Sequence, residues 1–317
     1  MIDRYGRDIT YLRISLTDKC NLRCRYCMPE EGVCKKSHAE MMTEDEIITA
    51  VEAAASLGIR KLRLTGGEPL VKKNILSICR RAAAVEGIEE VCLTTNGILL
   101  PPIAGELKAA GVKRLNLSLD TLDPEKYAYI TRIGRLEDFY RGLESALNTG
   151  FEKVKVNAVL IGGFNDGEIR NLAELTLRYP LDMRFIELMP MVDSRDFGPD
   201  AYVPYRRVLE MLPEAVAMPA DGGVAKLYRL PGAKGNIGLI SPVSAHFCGA
   251  CNRLRLTADG KLKACLHTAE EISIKGLDFN RMRETMQNVI WNKPAWHGDL
   301  DAQHPSQAGR NMNEIGG

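Results

Sequence analysis

No stretch of this 317-residue sequence is apolar for long enough to cross a bilayer, and Met1-Ile2-Asp3-Arg4-Tyr5 lacks the apolar core of a secretory leader. A soluble, cytoplasmic protein is therefore expected. Neither charge is in excess: 42 Lys and Arg face 41 Asp and Glu, which argues against a general nucleic-acid or membrane surface and leaves anion recognition to local pockets. The sequence holds no G-x-x-x-x-G-K-[ST] loop, so any phosphate it binds is not cradled in that way. There is no internal repeat and no low-complexity segment, and the length exceeds the usual single core, so one large barrel with an appended part, or two domains, is expected.

What is present is thiol. Nine cysteines in a reducing compartment read as metal ligands rather than disulfides, and their odd number agrees. Cys20, Cys24 and Cys27 make C-x3-C-x2-C within eight residues, directly after the alternating stretch Tyr11 to Thr17. Four-iron clusters take four ligands, so three protein thiolates leave one iron open to a molecule that is not protein. A loop of free or zinc-bound cysteines is the plainer alternative. Cys248, Cys251 and Cys265 form a second triad, C-x2-C-x13-C, with no thiol after it. His267 would complete a Cys3His zinc site, and spacing alone admits zinc or an iron-sulfur cluster equally. Arg253 and Arg255 follow at period two, on one face of a strand beside this triad, and two guanidinium forks suit a phosphate chain. Of the remaining thiols, Cys79 and Cys92 lie in apolar-periodic stretches where a buried thiol is ordinary, and Cys34 carries no assigned chemistry.

Strand-like and helix-like segments alternate through the first two thirds. Strands are expected at Tyr11 to Thr17, Lys61 to Thr65, Glu90 to Thr95, Lys113 to Asp120, Lys153 to Leu160 and Met183 to Leu188. Helices are expected at Thr43 to Leu57, opened by the capping box Thr43-Glu44-Asp45-Glu46, and near residues 75–85, 103–110, 136–148 and 166–178. Six βα units predict an α/β fold, a partial (β/α)6 barrel, with a doubly wound sheet as its rival. Leu12, Ile14 and Leu16 oppose Arg13, Ser15 and Thr17; Leu115, Leu117 and Leu119 oppose Asn116, Ser118 and Asp120. Arg63 with Thr65 and Lys155 with Asn157 repeat the pattern, which predicts a polar lumen around a charged ligand. Arg184 has the opposite parity to Met189 if one strand carries both. Beyond about Tyr202 the rhythm fades. Segments near 226–230, 238–240 and 253–264, the last turning at Asp259-Gly260, look antiparallel, and a helix is expected over Asn280 to Trp291. The expected division is 1–200 for the barrel and 201–317 for a smaller α+β part carrying the second triad, with residues 297–313 mostly without regular structure.

The run Arg13 through Pro29, with an aromatic, Tyr26, inside the cysteine spacing, resembles the radical S-adenosylmethionine enzymes. Together with Leu64-Thr65-Gly66-Gly67-Glu68-Pro69, Thr94-Thr95-Asn96-Gly97, Asn116-Leu117-Ser118-Leu119-Asp120, the Cys248 to Cys265 segment and the terminal Gly316-Gly317, the chain is similar to the GTP 3',8-cyclase family, which opens molybdenum-cofactor biosynthesis. The resemblance implies two [4Fe-4S] clusters, one on Cys20, Cys24 and Cys27 and one on Cys248, Cys251 and Cys265. It implies S-adenosyl-L-methionine contacted by Tyr26, Gly67, Ser118 and Met189, and GTP contacted by Arg13, Arg63, Thr94, Lys155, Arg184, Arg253 and Arg255. Arg13, Arg253, Arg255 and the Gly316-Gly317 tail fall at its catalytic positions. The implied activity is that of a lyase: a 5'-deoxyadenosyl radical takes the ribose 3' hydrogen of GTP, and ring closure gives (8S)-3',8-cyclo-7,8-dihydroguanosine 5'-triphosphate. A reductant such as flavodoxin or ferredoxin is implied as partner, a homodimer is compatible, and neither membrane nor nucleic acid is expected. The rivals are another radical enzyme with an auxiliary cluster, a non-enzymatic iron-sulfur electron carrier, and a zinc-stabilised nucleotide-binding protein.

Overall fold

In a computed structural model, which describes residues 1–33, 37–192, 194, 197–301 and 303–316, the alternating strands pair in sequence order. Cys34 lies outside the described residues. Strands β1 (Tyr11–Ser15), β2 (Lys61–Thr65), β3 (Glu90–Thr95), β4 (Val112–Ser118), β5 (Lys153–Leu160) and β6 (Asp182–Glu187) run parallel. Between them lie α1 (Glu44–Ser56), α2 (Ile75–Ala83), α3 (Ala104–Ala109), α4 (Pro124–Thr131), α5 (Leu136–Thr149), α6 (Ile169–Ala173) and α7 (Leu175–Arg178). The leucine and isoleucine face of each strand is buried under these helices: Leu12, Ile14, Leu62, Leu64, Leu93, Leu115 and Leu117 are at most 1% exposed. Each such side chain contributes about 1.5–3 kcal/mol on leaving water, which makes this face the one that sets the strand parity.

Local chemistry accounts for most boundaries. Thr43 and Glu46 cap each other's backbone at the start of α1, as the capping box requires. Helix α4 was not among the expected elements, although Asp123 accepts from the amides of Glu125 and Lys126 and Pro124 takes the first helical position. The single helix expected over 166–178 is instead a short 3-10 turn followed by α6 and α7, broken at Glu174.

After residue 202 come α8 (Arg206–Met211), β7 (Val216–Met218), β8 (Lys226–Arg229), β9 (Ile237–Ile240), β10 (Arg253–Leu256), β11 (Lys261–Lys263), β12 (Ile272–Ser273), α9 (Phe279–Trp291) and α10 (Met312–Ile315). The expected antiparallel pairing holds for β7, β8 and β9 and for β10, β11 and β12. It is incomplete, because β9 also pairs parallel with β6 and β10 parallel with β1. The later part of the chain therefore extends both edges of the six-stranded sheet. Periodicity reports which face of a strand is buried and carries no information on which distant strand lies beside it, so these pairings were out of its reach. The strand order runs from β12 to β7 without closing, which leaves an open barrel of the expected α/β type.

The chain end returns to this barrel. Arg310 grips two carboxylates at once, Asp259 at 3.0 and 3.2 Å and Glu271 at 2.7 and 3.0 Å. Asn311 and Glu314 then cap α10, Asn313 donates to the Asp18 carbonyl at 3.1 Å, and Ile315 is fully buried. The Gly316 carbonyl accepts from Arg255 Nη1 at 2.8 Å.

Two expectations follow. Arg310→Ala should free residues 311–316 while leaving the barrel folded, read as loss of amide protection confined to that segment in hydrogen exchange. An added Cβ at Gly142, on α5, would stand 2.1 Å from the Gly97 carbonyl oxygen. Gly142→Ala should accordingly cost about 1–3 kcal/mol of unfolding free energy in a urea titration.

Candidate active site

The two cysteine triads lie at opposite ends of the barrel. Cys20, Cys24 and Cys27 follow the carboxyl end of β1, whereas Cys251 immediately precedes the amino end of β10, which runs parallel to β1. All six thiols line one cavity. Tyr11 to Ser15 on β1 separates the two levels by roughly 13 Å at ordinary strand rise.

The upper loop is stitched to its surroundings through the backbone. Cys27 N and Met28 N donate to the Cys24 carbonyl, and Arg23 N and Arg25 N donate to Thr131 and Ile130 at the end of α4. On the other side, Gly67 N donates to Thr17 O at 2.7 Å and Glu68 N to Lys19 O at 2.8 Å. A Cβ on Gly66 would lie 2.4 Å from Thr17 O, and one on Gly67 would lie 2.4 Å from Lys19 O. The segment leading into Cys20 therefore requires glycine at both positions. Glu68 also lines the cavity, and its carboxylate is held from the protein side. It is 1% exposed and accepts from Asn96 N, Thr95 Oγ1 and Leu70 N, and burial pushes its pKa up to about 7. Tyr26 donates to Asp120 Oδ2 at 2.7 Å, which sets the ring at the end of β4, and burial raises Asp120 to about 6.

The lower loop is held by cations. Arg7, which sequence reasoning missed, donates to the carbonyls of Cys248, Lys293, Pro294 and Ala295. Lys293 donates to the carbonyls of Arg253 and Ala264 at the two ends of the β10–β11 hairpin. Burial would raise the Cys251 thiol, but Lys293, the Arg253 amide, and the Arg253 and Arg255 side chains outweigh it and hold the pKa below the ordinary thiol value. His267 faces the same cavity, yet its Nδ1 meets Ser306 Oγ at 3.1 Å, and burial followed by His297 lowers its pKa to about 3. Among the described residues no three His, Cys, Asp or Glu groups converge closely enough for a single metal ion.

Between the ends, alternate residues of seven strands face inward. In register across β10, β1 and β2 stand Arg255, Arg13 and Arg63. Thr94, Asn116 and Lys155 are likewise in register across β3, β4 and β5, and Ser118, Asn157 and Arg184 across β4, β5 and β6. Every expected site residue with a side chain lines the cavity, as do Gly67 and Met189. The parity problem at Arg184 disappears because β6 ends at Glu187, before Met189. Gly316 reaches the upper end of the chamber, where an added Cβ would meet Thr65 and Ser15; Gly317 lies outside the described residues. Lys61, Arg114 and Tyr11 share the inward parity of residues already singled out and could have been found that way. Asp221 could not, because it enters from the loop between β7 and β8 to pair with Lys155 at 3.5 Å and Arg184 at 3.8 Å.

Nine cationic side chains line this cavity against three acidic ones, two of which are Glu68 and Asp120 with raised pKa values. Burial and then Arg255 push Arg13 well down, burial and then Arg253 bring Arg255 to about 10, and burial and then Arg184 bring Lys155 to about 8. A guanidinium does not deprotonate in proteins, so for the arginines the downward push expresses repulsion that an anion would relieve. Among the described residues, Arg184 Nε and Arg253 Nε are buried without a hydrogen-bond acceptor, and Asn116 Oδ1 and Asn157 Oδ1 are buried without a donor. Orphans of both kinds in one chamber fit a ligand that is anionic at one part and carries hydrogen-bond donors at another.

Comparison with known proteins agrees with this chemistry. Residues 14–176 match the family model for the radical SAM superfamily, and residues 181–298 match the one described as Molybdenum Cofactor Synthesis C. GTP 3',8-cyclases of Alkaliphilus oremlandii and Peptoclostridium acidaminophilum are 46% and 47% identical to this chain, covering all of it and 100% and 98% of their own lengths. That of Pelotomaculum thermopropionicum is 47% identical over the full length of both. Among solved structures, SuiB of Streptococcus suis bound to S-adenosylmethionine superposes with a TM-score of 0.66 at 15% identity, over 92% of this chain and 67% of SuiB. Methylornithine synthase gives 0.53 at 16%, over 65% and 62%; at such identities these two show the fold alone. With end-to-end similarity to the curated enzymes and both family models in place, the chain belongs to the radical S-adenosylmethionine superfamily and, within it, to the GTP 3',8-cyclase family.

Proposed function

We propose that the protein converts GTP to (8S)-3',8-cyclo-7,8-dihydroguanosine 5'-triphosphate, the first step of molybdenum-cofactor biosynthesis. The observation that carries this reading is the facing pair of three-cysteine loops at the two ends of one cation-lined chamber. Cys20, Cys24 and Cys27 would hold the [4Fe-4S] cluster of the superfamily, and Tyr26, Gly67, Ser118 and Met189 would hold S-adenosylmethionine beside it. When bound, that pair supplies a hydrogen-abstracting carbon radical at the upper end of the chamber. Cys248, Cys251 and Cys265 would hold a second [4Fe-4S] cluster. Membership of the GTP 3',8-cyclase family favours it over a Cys3His zinc site.

The chain's own residues bind and orient. Arg13, Arg63, Lys155, Arg184, Arg253 and Arg255 neutralise the triphosphate, and Thr94, which receives Arg63 Nη1 at 3.2 Å, fixes one of these forks. The orphan acceptors Asn116 and Asn157 suit hydroxyls of the ribose, which would then lie between the cation layers and the upper loop. Holding the nucleotide so that its 3' hydrogen faces upward is a matter of proximity, worth far more than any acid or base here. Glu68 and Asp120 are already committed to structural hydrogen bonds, and no general base is required. The tail, with Gly316 beside Arg255 and Gly317 beyond it, would complete the site. Reduction calls for a one-electron donor such as flavodoxin or ferredoxin.

Anaerobic reconstitution should give about eight irons per chain. Incubation with S-adenosylmethionine and a reductant should give deoxyadenosine in a GTP-dependent manner. Four irons with one zinc would remove the second cluster, and equal cleavage with every nucleotide would remove the cyclase reading. Lys155 faces Arg184, Asp182 and Asp221, and with a pKa lowered to about 8 by burial and Arg184 it loses its charge as the pH rises through that value. GTP affinity should therefore fall by about tenfold between pH 7 and 9 beyond any change in Lys155→Arg, which keeps its charge.

A further inference from the structure

At the lower level of the chamber stands an aromatic residue to which nothing so far assigns a role. Tyr11 opens β1, is 7% exposed, and lines the cavity. Its strand neighbours in register are Arg253 on β10 and Lys61 on β2. Its ring has Lys61 Nζ 5.4 Å from the centroid, and the guanidinium carbons of Arg63 and Arg253 both at 5.9 Å. Its hydroxyl oxygen accepts from Arg63 Nε. A phenol has one hydrogen of its own to donate, and among the described residues no acceptor takes it. The carboxylate nearest in chain register, Glu90, is occupied by Lys61 at 2.6 Å, Cys92 at 2.7 Å and Arg114 at 3.3 Å. A buried O–H surrounded by cations thus lacks only an acceptor, and the cations packed around it do not provide one.

Resting on the reading of this chamber as a polyphosphate site, we infer that Tyr11 is a further anion-binding residue. Its hydroxyl donates to an oxygen of the ligand's polyphosphate while the same oxygen keeps Arg63 turned toward that group. The ring is the floor on which Lys61, Arg63 and Arg253 are gathered, through contacts that need no counter-charge of their own. An acidic residue in this place would compete with the ligand for those three cations; a phenol orders them and leaves their charge available. Arg63, Arg13 and Arg253 together outweigh burial and lower the hydroxyl's pKa, which makes it a better donor.

Tyr11→Phe keeps the ring and removes the hydroxyl alone. Calorimetric titration of the anaerobically reconstituted full-length protein with inorganic tripolyphosphate, and separately with guanosine, tests the inference. The variant should bind tripolyphosphate about tenfold more weakly than the unaltered protein and guanosine equally well. A loss below threefold, or an equal loss for guanosine, would overturn it. The same substitution in an Arg63→Lys background separates direct donation from mere orientation of Arg63: a loss of threefold or more must persist there, and its disappearance also overturns the inference. Failure of the unaltered protein to bind tripolyphosphate at all would instead remove the polyphosphate reading on which Tyr11 depends.

Discussion

Three guanidinium groups held side by side repel one another, and the structure depends on strand pairing to keep them there. Arg255, Arg13 and Arg63 are aligned by backbone hydrogen bonds across β10, β1 and β2, none of which involves the side chains themselves. The opposing faces of β1 and β2, with Leu12, Ile14, Leu62 and Leu64 fully buried, anchor the register, because a one-residue slip would exchange leucine for arginine along the whole strand. Stability in the apolar layer outside the barrel thereby sustains an unfavourable concentration of charge within it. Such a lumen has a use only when an anion fills it.

The ends of the barrel follow a second rule. Neither cysteine loop is strand or α-helix, the lower one holding only a 3-10 turn at Cys248–Ala250, so each is fixed by hydrogen bonds to its own peptide groups. Above, the Gly66-Gly67 peptide and the end of α4 clasp the loop from two sides. Below, Arg7 and Lys293 gather carbonyls from the lower loop, the β10–β11 hairpin and the segment after α9. Residues that touch no ligand hold the ligand-facing groups in place, and they come from both ends of the chain. Arg310 does the same for the tail, converting a polar terminal segment into one whose Gly316 carbonyl meets Arg255.

Much of this was legible in the residue order. The polar faces of β1, β2, β4 and β5 predicted a charged lumen, and the same parity would have added Tyr11, Lys61 and Arg114 had it been followed to the strand ends. The Cys20 to Cys27 spacing predicted the upper site. Less was legible where a reason lay in distant contact: Gly67 and Glu68 line the chamber, but what fixes them there is packing against residues 17–19 and 95–96. Asp221, entering from a loop, left no periodic trace.

By itself the sequence determined the βα rhythm, the parity of each barrel strand and the two thiol triads, because period-two burial and ligand spacing are local properties of a chain. Only the tertiary structure decided that β9 and β10 would extend opposite edges of one sheet, that the triads would face each other through a single chamber, and that the tail would return to Arg255. Those outcomes are matters of which distant backbone groups find one another, and hydrogen bonding between peptides is blind to the side chains that a sequence displays.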